Sequence, residues 1–179
     1  MLCIFAMVPL AEAAPSMHLR TSAEEEHVEK IEAIFLYQFG AYVEWPEGTF
    51  KSNQEPLLIG ILDSENVVLP LENIVLKRRL RDRAVAVRRM TRNDDPRSVH
   101  IFFVGTKADP EVARAMIGRV RGYPVLTVAE SSSINPMVTF VRERRRVRFD
   151  VSLAQAEECG LRISSRLLSV ARQVIGSRP

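Results

Sequence analysis

Short apolar runs that alternate with helical segments are the feature that most constrains the fold of this chain. Four runs have the length of β-strands and cover residues 56–62, 83–89, 99–104 and 125–129. The runs PLLIGIL and VHIFFV are apolar at almost every position, which is typical of strands buried on both faces. Helical segments at 67–75 and 109–120 give the order β-α-β-β-α-β. This order predicts an α/β fold with a mainly parallel central sheet flanked by helices.

A long amphipathic helix precedes these strands. Thr21 and Ser22, followed by three glutamates, are typical of a helix start, because hydroxyl caps and early acids satisfy the helix N-terminus. Apolar residues then recur at steps of three and four: Ile31, Ile34, Phe35, Phe39, Tyr42 and Val43. Pro46 disfavours further helix at the residues before it. The pattern predicts a helix from Glu24 to Val43.

The last third of the sequence has a different pattern. Residues 137–142 and 146–153 read as the two arms of an antiparallel hairpin, with a charged turn at 143–145. In the second arm, apolar and polar residues alternate strictly, which indicates one buried and one solvated face near a sheet edge. A closing helix is predicted from Ser164 or Ser165 to about Val174. Residues 24–176 would thus form a single domain.

The N-terminus reads as an export signal. Residues 1–10 are almost all apolar, and Ala11-Glu12-Ala13 gives the small-x-small pattern of a cleavage site. We expect a signal peptide over 1–13, cut near Ala13, then a linker over 14–23 and a periplasmic location. No Lys or Arg precedes the apolar run, so a truncated start or a buried N-terminal segment stays open.

Charge and cysteine usage exclude several protein classes. The chain has 25 basic and 22 acidic residues among 179, a near balance that does not suit a nucleic-acid binder. Cys3 would leave with the signal peptide, and Cys159 would then be alone. We expect Cys159 to be a small buried apolar residue, the alternative being a thiol that pairs two chains.

Signatures of catalysis are missing. The glycines form neither a phosphate-binding loop nor a dinucleotide fingerprint, and no serine occupies a G-x-S-x-G elbow. Cysteines and histidines are too few for a Cys-rich zinc site. We therefore expect no catalytic residues, no metal and no cofactor, and a protein that is not an enzyme; a hydrolase with an unrecognised site is the remote alternative.

A few polar features remain candidates for binding. Asp63, Ser64 and Ser131 follow apolar strands, and ligands of open α/β sheets gather beyond the carboxyl ends of strands. These residues define a possible pocket for a small ligand. His100 lies within an apolar strand, where a hydrogen-bonded structural histidine is expected. Five arginines between 142 and 148 indicate a basic hairpin tip, either solvated or facing an anionic partner.

Three blocks of the sequence resemble the YfiR family. The first is IEAIFLYQF at 31–39, leading into YVEWP at 42–46. The second comprises VHIFFV and then PVLTVAE, and the third RVRFDVSL and then GLRISSRLL. Their order and spacing, over about residues 31 to 172, make the set fairly specific.

The resemblance implies a compact periplasmic α/β protein, often a homodimer. In the best-known system, such a protein represses a membrane-bound diguanylate cyclase through its periplasmic sensor domain, and so acts on cyclic-di-GMP signalling. An outer-membrane lipoprotein sequesters the repressor. The family is also linked to redox control through disulfides, but a lone Cys159 rules out a disulfide switch within this chain.

The resemblance leads us to expect partner contacts at two places. Trp45 follows the first helix and suits an interface anchor, with core packing as the alternative. The third block offers Phe149, Asp150, Leu153 and Arg162. Alternation places Phe149 and Leu153 on one face, so both also suit the core. The runner-up function is a periplasmic small-ligand sensor that uses Asp63, Ser131 or Arg162.

Overall fold

The computed structural model describes residues 16–143 and 146–176. The helices are α1 (Ser16–Tyr42), α2 (Glu65–Val75), α3 (Pro110–Arg119), α4 (Leu153–Glu158) and α5 (Ser165–Leu168). The strands are β1 (Val43–Glu44), β2 (Leu57–Leu62), β3 (Val85–Met90), β4 (Ile101–Val104), β5 (Leu126–Ala129), β6 (Val138–Glu143), β7 (Arg146–Ser152), β8 (Arg162–Ile163) and β9 (Gln173–Ile175). The predicted signal peptide, residues 1–13, lies outside the described residues.

Seven strands form one sheet in the order β3-β2-β4-β5-β6-β7-β9. Strands β3, β2, β4, β5 and β6 run parallel to their neighbours, β6 and β7 form an antiparallel hairpin, and β9 joins β7 in parallel. β1 and β8 pair with each other as a separate two-stranded sheet. The predicted α/β fold, with a mainly parallel sheet and a C-terminal hairpin, is confirmed.

Two apolar layers, one on each face of the sheet, hold the fold together. Along β4, Ile101 and Phe103 pack with α1 and α2, while Phe102 and Val104 pack with α3. This division follows from the strand pleat, because successive side chains point to opposite faces. Every residue of β4 and β5 is buried, which is why these runs read as continuous apolar segments.

The first helix extends further toward the N-terminus than the sequence predicts. It begins at Ser16 and not at Glu24, so residues 16–23, expected as a linker, have helical backbone. The buried face also differs from the predicted stripe, because Ile34 is exposed whereas Glu32 and Leu36 are fully buried. The helix faces the sheet with Val28, Glu32, Leu36 and Phe39. Apolar residues at helical spacing do not by themselves specify how the helix is rotated about its axis.

The predicted closing helix is wrong over most of its length. Helix α5 ends at Leu168, and residues 173–175 form β9, which pairs with β7 from Asp150 to Ser152. Leu167 on α5 is buried, and Val174 is half-buried on β9. A short apolar segment is compatible with either element, and the free edge of β7 decides between them.

Candidate functional site

The β1–β8 ribbon, residues 43–46 with 162–163, carries two of the predicted contact residues. Glu44 lies opposite Arg162 in the antiparallel register, and Trp45 follows β1 directly. The Arg162 side chain is 84% exposed, and its Nε lies 3.9 Å from Oε2 of the exposed Glu44. An ion pair with this exposure contributes little to stability, so both side chains are free to exchange partners at low cost.

Trp45 is half-buried, between its two predicted roles. Its ring packs edge-on against Phe50 and His100, with centroids 6.1 and 6.4 Å apart. The indole Nε1 is inaccessible to solvent and has no hydrogen-bond partner among the described residues. A partner that reaches residue 45 would therefore meet apolar ring carbons and backbone, and not the indole N–H.

His100 contacts Trp45 and Phe50 from the interior of the fold. Its Nδ1 accepts a hydrogen bond from the backbone N–H of Leu58 at 3.0 Å, and its ring stacks on Phe50 at 4.4 Å. Burial lowers the pKa of His100, so the imidazole is uncharged at neutral pH. The prediction of a hydrogen-bonded structural histidine is confirmed.

The contact residues of the third block do not share one surface. Phe149 is buried, with its ring edge-on to Phe35 and Phe39 at 5.3 Å, so it is a core residue and not a surface contact. Asp150 is half-buried and accepts a hydrogen bond from Arg172 Nε at 2.8 Å, which ties β7 to the segment before β9. Leu153 is half-buried at the start of α4, where the strand alternation has ended.

The predicted pocket residues line neighbouring clefts at one end of the main sheet. Asp63 and Ser64 line a polar cleft of about 230 Å³ together with Thr106, Lys107 and Glu130. Ser131 lines an adjacent cleft of about 370 Å³, where its Oγ lies 2.8 Å from Oγ of Ser133. Both clefts lie beyond the carboxyl ends of parallel strands, as the sheet topology requires.

The sequence does not indicate a cluster of two buried carboxylates and a partly exposed arginine beside the first cleft. Arg142 donates from Nε and Nη2 to the two carboxylate oxygens of Glu32, at 3.1 and 3.3 Å, and Nη2 also contacts Glu130. Glu130 accepts a further hydrogen bond from the backbone N–H of Thr106 at 2.6 Å. We call Glu32, Glu130 and Arg142 the clamp, because it joins α1 to the ends of β5 and β6.

Within the clamp, burial is the main influence on the pKa of Glu32. It raises the pKa of Glu32 to about 7, with a further rise from the charge of Glu130 and an opposing effect from Arg142. A signal for Glu32 exists in the sequence, because it lies four residues from both Val28 and Leu36 on the buried face of α1. Nothing in the sequence indicates Arg142 as its partner, 110 residues away.

Three further predictions can be compared with the structure. Cys159 is a buried free thiol, as expected for a small apolar residue. In the basic hairpin tip, Arg142 belongs to the clamp and Arg146 is exposed, while residues 144–145 lie outside the described part of the chain. Within residues 16–143 and 146–176, no group of three or more His, Cys, Asp or Glu residues is placed to hold a metal ion.

None of the described helices has both the length and the apolar character required to span a bilayer. A comparison with curated proteins gave no match. A family model described as YfiR/HmsC-like matches residues 29–172, which include every element from β1 to α5 and most of α1. This family consists of periplasmic regulators of diguanylate cyclases and not of enzymes. The chain belongs to the YfiR/HmsC-like family.

Proposed function

We propose that this protein binds the periplasmic sensor domain of an inner-membrane diguanylate cyclase and represses the cyclase, with the β1–β8 ribbon as its contact surface. The observation that carries the proposal is the exposed Arg162–Glu44 pair beside Trp45, on a ribbon that lies apart from the main sheet. The ribbon thus places two charged side chains, which can exchange ion-pair partners, beside the apolar ring of Trp45.

Repression by this route needs no bond chemistry. The cyclase exists in active and inactive arrangements, and a protein that binds the inactive one more tightly shifts the population toward it. The ribbon supports such binding in two ways. Its charged side chains can pair with a partner, and its backbone edges are not hydrogen-bonded to any strand of the seven-stranded sheet.

The decisive experiment is deletion of the coding sequence in the host, followed by measurement of cyclic-di-GMP. We expect the level to rise in the deletion strain and to return when the wild-type chain is supplied. Arg162→Glu should fail to restore the low level, because it reverses the charge at the ribbon. Unchanged cyclic-di-GMP in the deletion strain under several growth conditions would overturn the proposal.

A matched control is the same charge reversal at Arg114. This residue is exposed on α3, which packs on the opposite face of the sheet from α1. Arg114→Glu should restore repression fully. If both variants fail equally, a loss of net charge and not the ribbon is responsible.

The proposal includes a signal peptide that is cleaved near Ala13, a homodimer and sequestration by an outer-membrane lipoprotein. The N-terminal residue of the protein from a periplasmic extract tests the first. Light scattering during gel filtration tests the second, with twice the mass of one chain as the expected result. Capture of tagged protein from outer-membrane extracts, compared with the Arg162→Glu variant, tests the third.

A second candidate function, sensing of a small ligand, is supported by the polar cleft at Asp63 and Ser64. The cleft combines the cations of Lys107 and Arg142 with several carboxylates, so it suits a small zwitterionic or polar molecule. A rise in melting temperature with a polar metabolite, lost in Asp63→Ala, would support this function. No shift across a broad metabolite set would count against it.

A further inference from the structure

The segment that follows α2 concentrates positive charge beside exposed apolar side chains. Residues 76–81, which we call the basic loop, have the sequence Leu-Lys-Arg-Arg-Leu-Arg. The Leu76 side chain is 81% exposed, and Leu69, two helical turns earlier on the same face of α2, is 58% exposed. Lys77, Arg78, Arg79 and Arg81 are all exposed.

The charges of the basic loop are not neutralised within the fold. Among the described residues, no carboxylate lies within ion-pair distance of its four cationic side chains; Arg79 and Arg81 donate instead to backbone carbonyls of Asp82 and Ala41. The neighbouring strand differs, because Arg89 of β3 is paired with both Glu65 and Glu72. The basic loop therefore has the positive potential that attracts an anionic surface.

The fold holds this loop in place. Leu80 is buried against Gly40, and it exchanges two backbone hydrogen bonds with Arg83, at 2.9 and 2.8 Å. Arg81 and Asp82 form the tip of that turn with positive φ angles of 46° and 69°. In addition, Tyr37 Oη donates to the carbonyl of Arg79 at 3.0 Å. The cations and Leu76 are thus presented from a fixed backbone.

We propose that the basic loop binds the surface of an anionic lipid bilayer, with Leu76 entering the headgroup region between the cations. Clustered Lys and Arg attract anionic headgroups, and projecting apolar side chains such as Leu76 gain by burial at the acyl boundary. An acidic protein would satisfy the charges, but it would also need apolar pockets matched in position to Leu76 and Leu69, whereas a bilayer accepts projecting apolar side chains without a matched surface. This contact does not depend on the proposed repression, although both would act at the same membrane.

Sedimentation with lipid vesicles tests the proposal. The purified protein is mixed with vesicles of phosphatidylcholine alone or of phosphatidylcholine and phosphatidylglycerol in equal parts. We expect binding only to the anionic vesicles, and its loss at 1 M salt because screening removes the attraction. Each cation removed should weaken binding about fivefold. All variants carry the same N-terminus, so any contribution from that region cancels.

The variants separate the basic loop from net charge. Lys77→Glu with Arg78→Glu should abolish binding, and Leu76→Ser should weaken it measurably without changing its salt dependence. The control is Arg119→Glu with Arg121→Glu, an equal charge change at the end of α3, which should retain more than half of the wild-type binding. Circular dichroism verifies that each variant is folded.

Three outcomes would overturn the proposal. One is wild-type protein that stays in the supernatant with anionic vesicles, and another is equal loss of binding in the loop and control variants. The third is a pair of results: the loop variants still bind vesicles as wild type does, but they no longer bind the cyclase sensor domain. This pair would identify an acidic protein as the partner of the basic loop. Unaltered cyclic-di-GMP in the deletion strain would leave the vesicle result intact, so the two proposals fail separately.

Discussion

The Arg142–Glu32 pair and the Arg162–Glu44 pair join the same two types of side chain in very different surroundings. Glu32 is fully buried and receives two hydrogen bonds from Arg142, which is itself 41% exposed. Glu44 and Arg162 are both exposed, and their charges are 3.9 Å apart. In the first pair each side chain depends on the other, whereas in the second either can leave. The comparison separates a pair that holds the fold from one that is available to a partner.

The largest effect on stability is expected at Phe149, a predicted contact residue that the structure places in the buried core. Phe149→Ala would leave a cavity among the rings of Phe35, Phe39 and Phe140, and should lower the free energy of unfolding by about 3–5 kcal/mol. Urea unfolding followed by circular dichroism measures the change. A loss under about 1 kcal/mol would mean that the ring is not in a packed core.

The second-largest loss of stability is expected when the Arg142 side chain is removed. Arg142→Ala leaves the buried carboxylates of Glu32 and Glu130 without their cation, and we expect a loss of about 2–3 kcal/mol in unfolding free energy at pH 7. Partial exposure of Arg142 places the figure below the range for fully buried pairs. Glu32→Gln in the same background should recover part of the loss. No recovery would show that packing of the Arg142 stem, and not the charge, is responsible.

The pH dependence of stability sharpens the comparison further. The pKa of Glu32 is raised from 4.5 to about 7 in the fold, so the native state binds this proton more tightly than the unfolded chain. The stabilisation from this bound proton is complete below pH 4.5 and is lost as pH rises to about 7; the loss is about 3 kcal/mol. Unfolding free energies of wild type and Glu32→Gln should therefore diverge over this interval. Parallel curves would contradict the raised pKa.

The smallest effect on stability is expected at the ribbon. Arg162→Ala should change the unfolding free energy by less than about 0.5 kcal/mol, because its only described ion pair is exposed. Calorimetric melting of Arg162→Ala beside Arg114→Ala measures this directly. If Arg162→Ala destabilised the protein as much as Arg142→Ala does, both pairs would be structural and the ribbon would lose its proposed role.

The sequence predicts the central fold well because its signals there are local. Continuous apolar runs identify β2, β4 and β5, and proline at the first position of α3 marks a helix start. Strict alternation identifies β7, whose apolar residues Val147, Phe149 and Val151 are all buried. These patterns depend only on which residues follow each other along the chain.

The candidate site is harder to predict because its parts are distant in sequence. The sequence indicates Trp45 and Arg162 as separate candidates. They lie on one ribbon because β1 pairs with β8, and each of these strands has two residues. Strands this short have no periodicity to detect. The clamp likewise joins residues that are far apart in the sequence. Strand β9 forms because the edge of β7 is free to pair with it.

By itself, the sequence determined the class of fold, the parallel core and the buried character of His100 and Cys159, because burial and strand period are recorded in the order of apolar residues. Only the tertiary structure decided which charged residues are bound and which are free. Arg142 and Arg162 are the same residue type and both lie on β-strands, and only the complete fold gives Arg142 a buried carboxylate partner and Arg162 an exposed one.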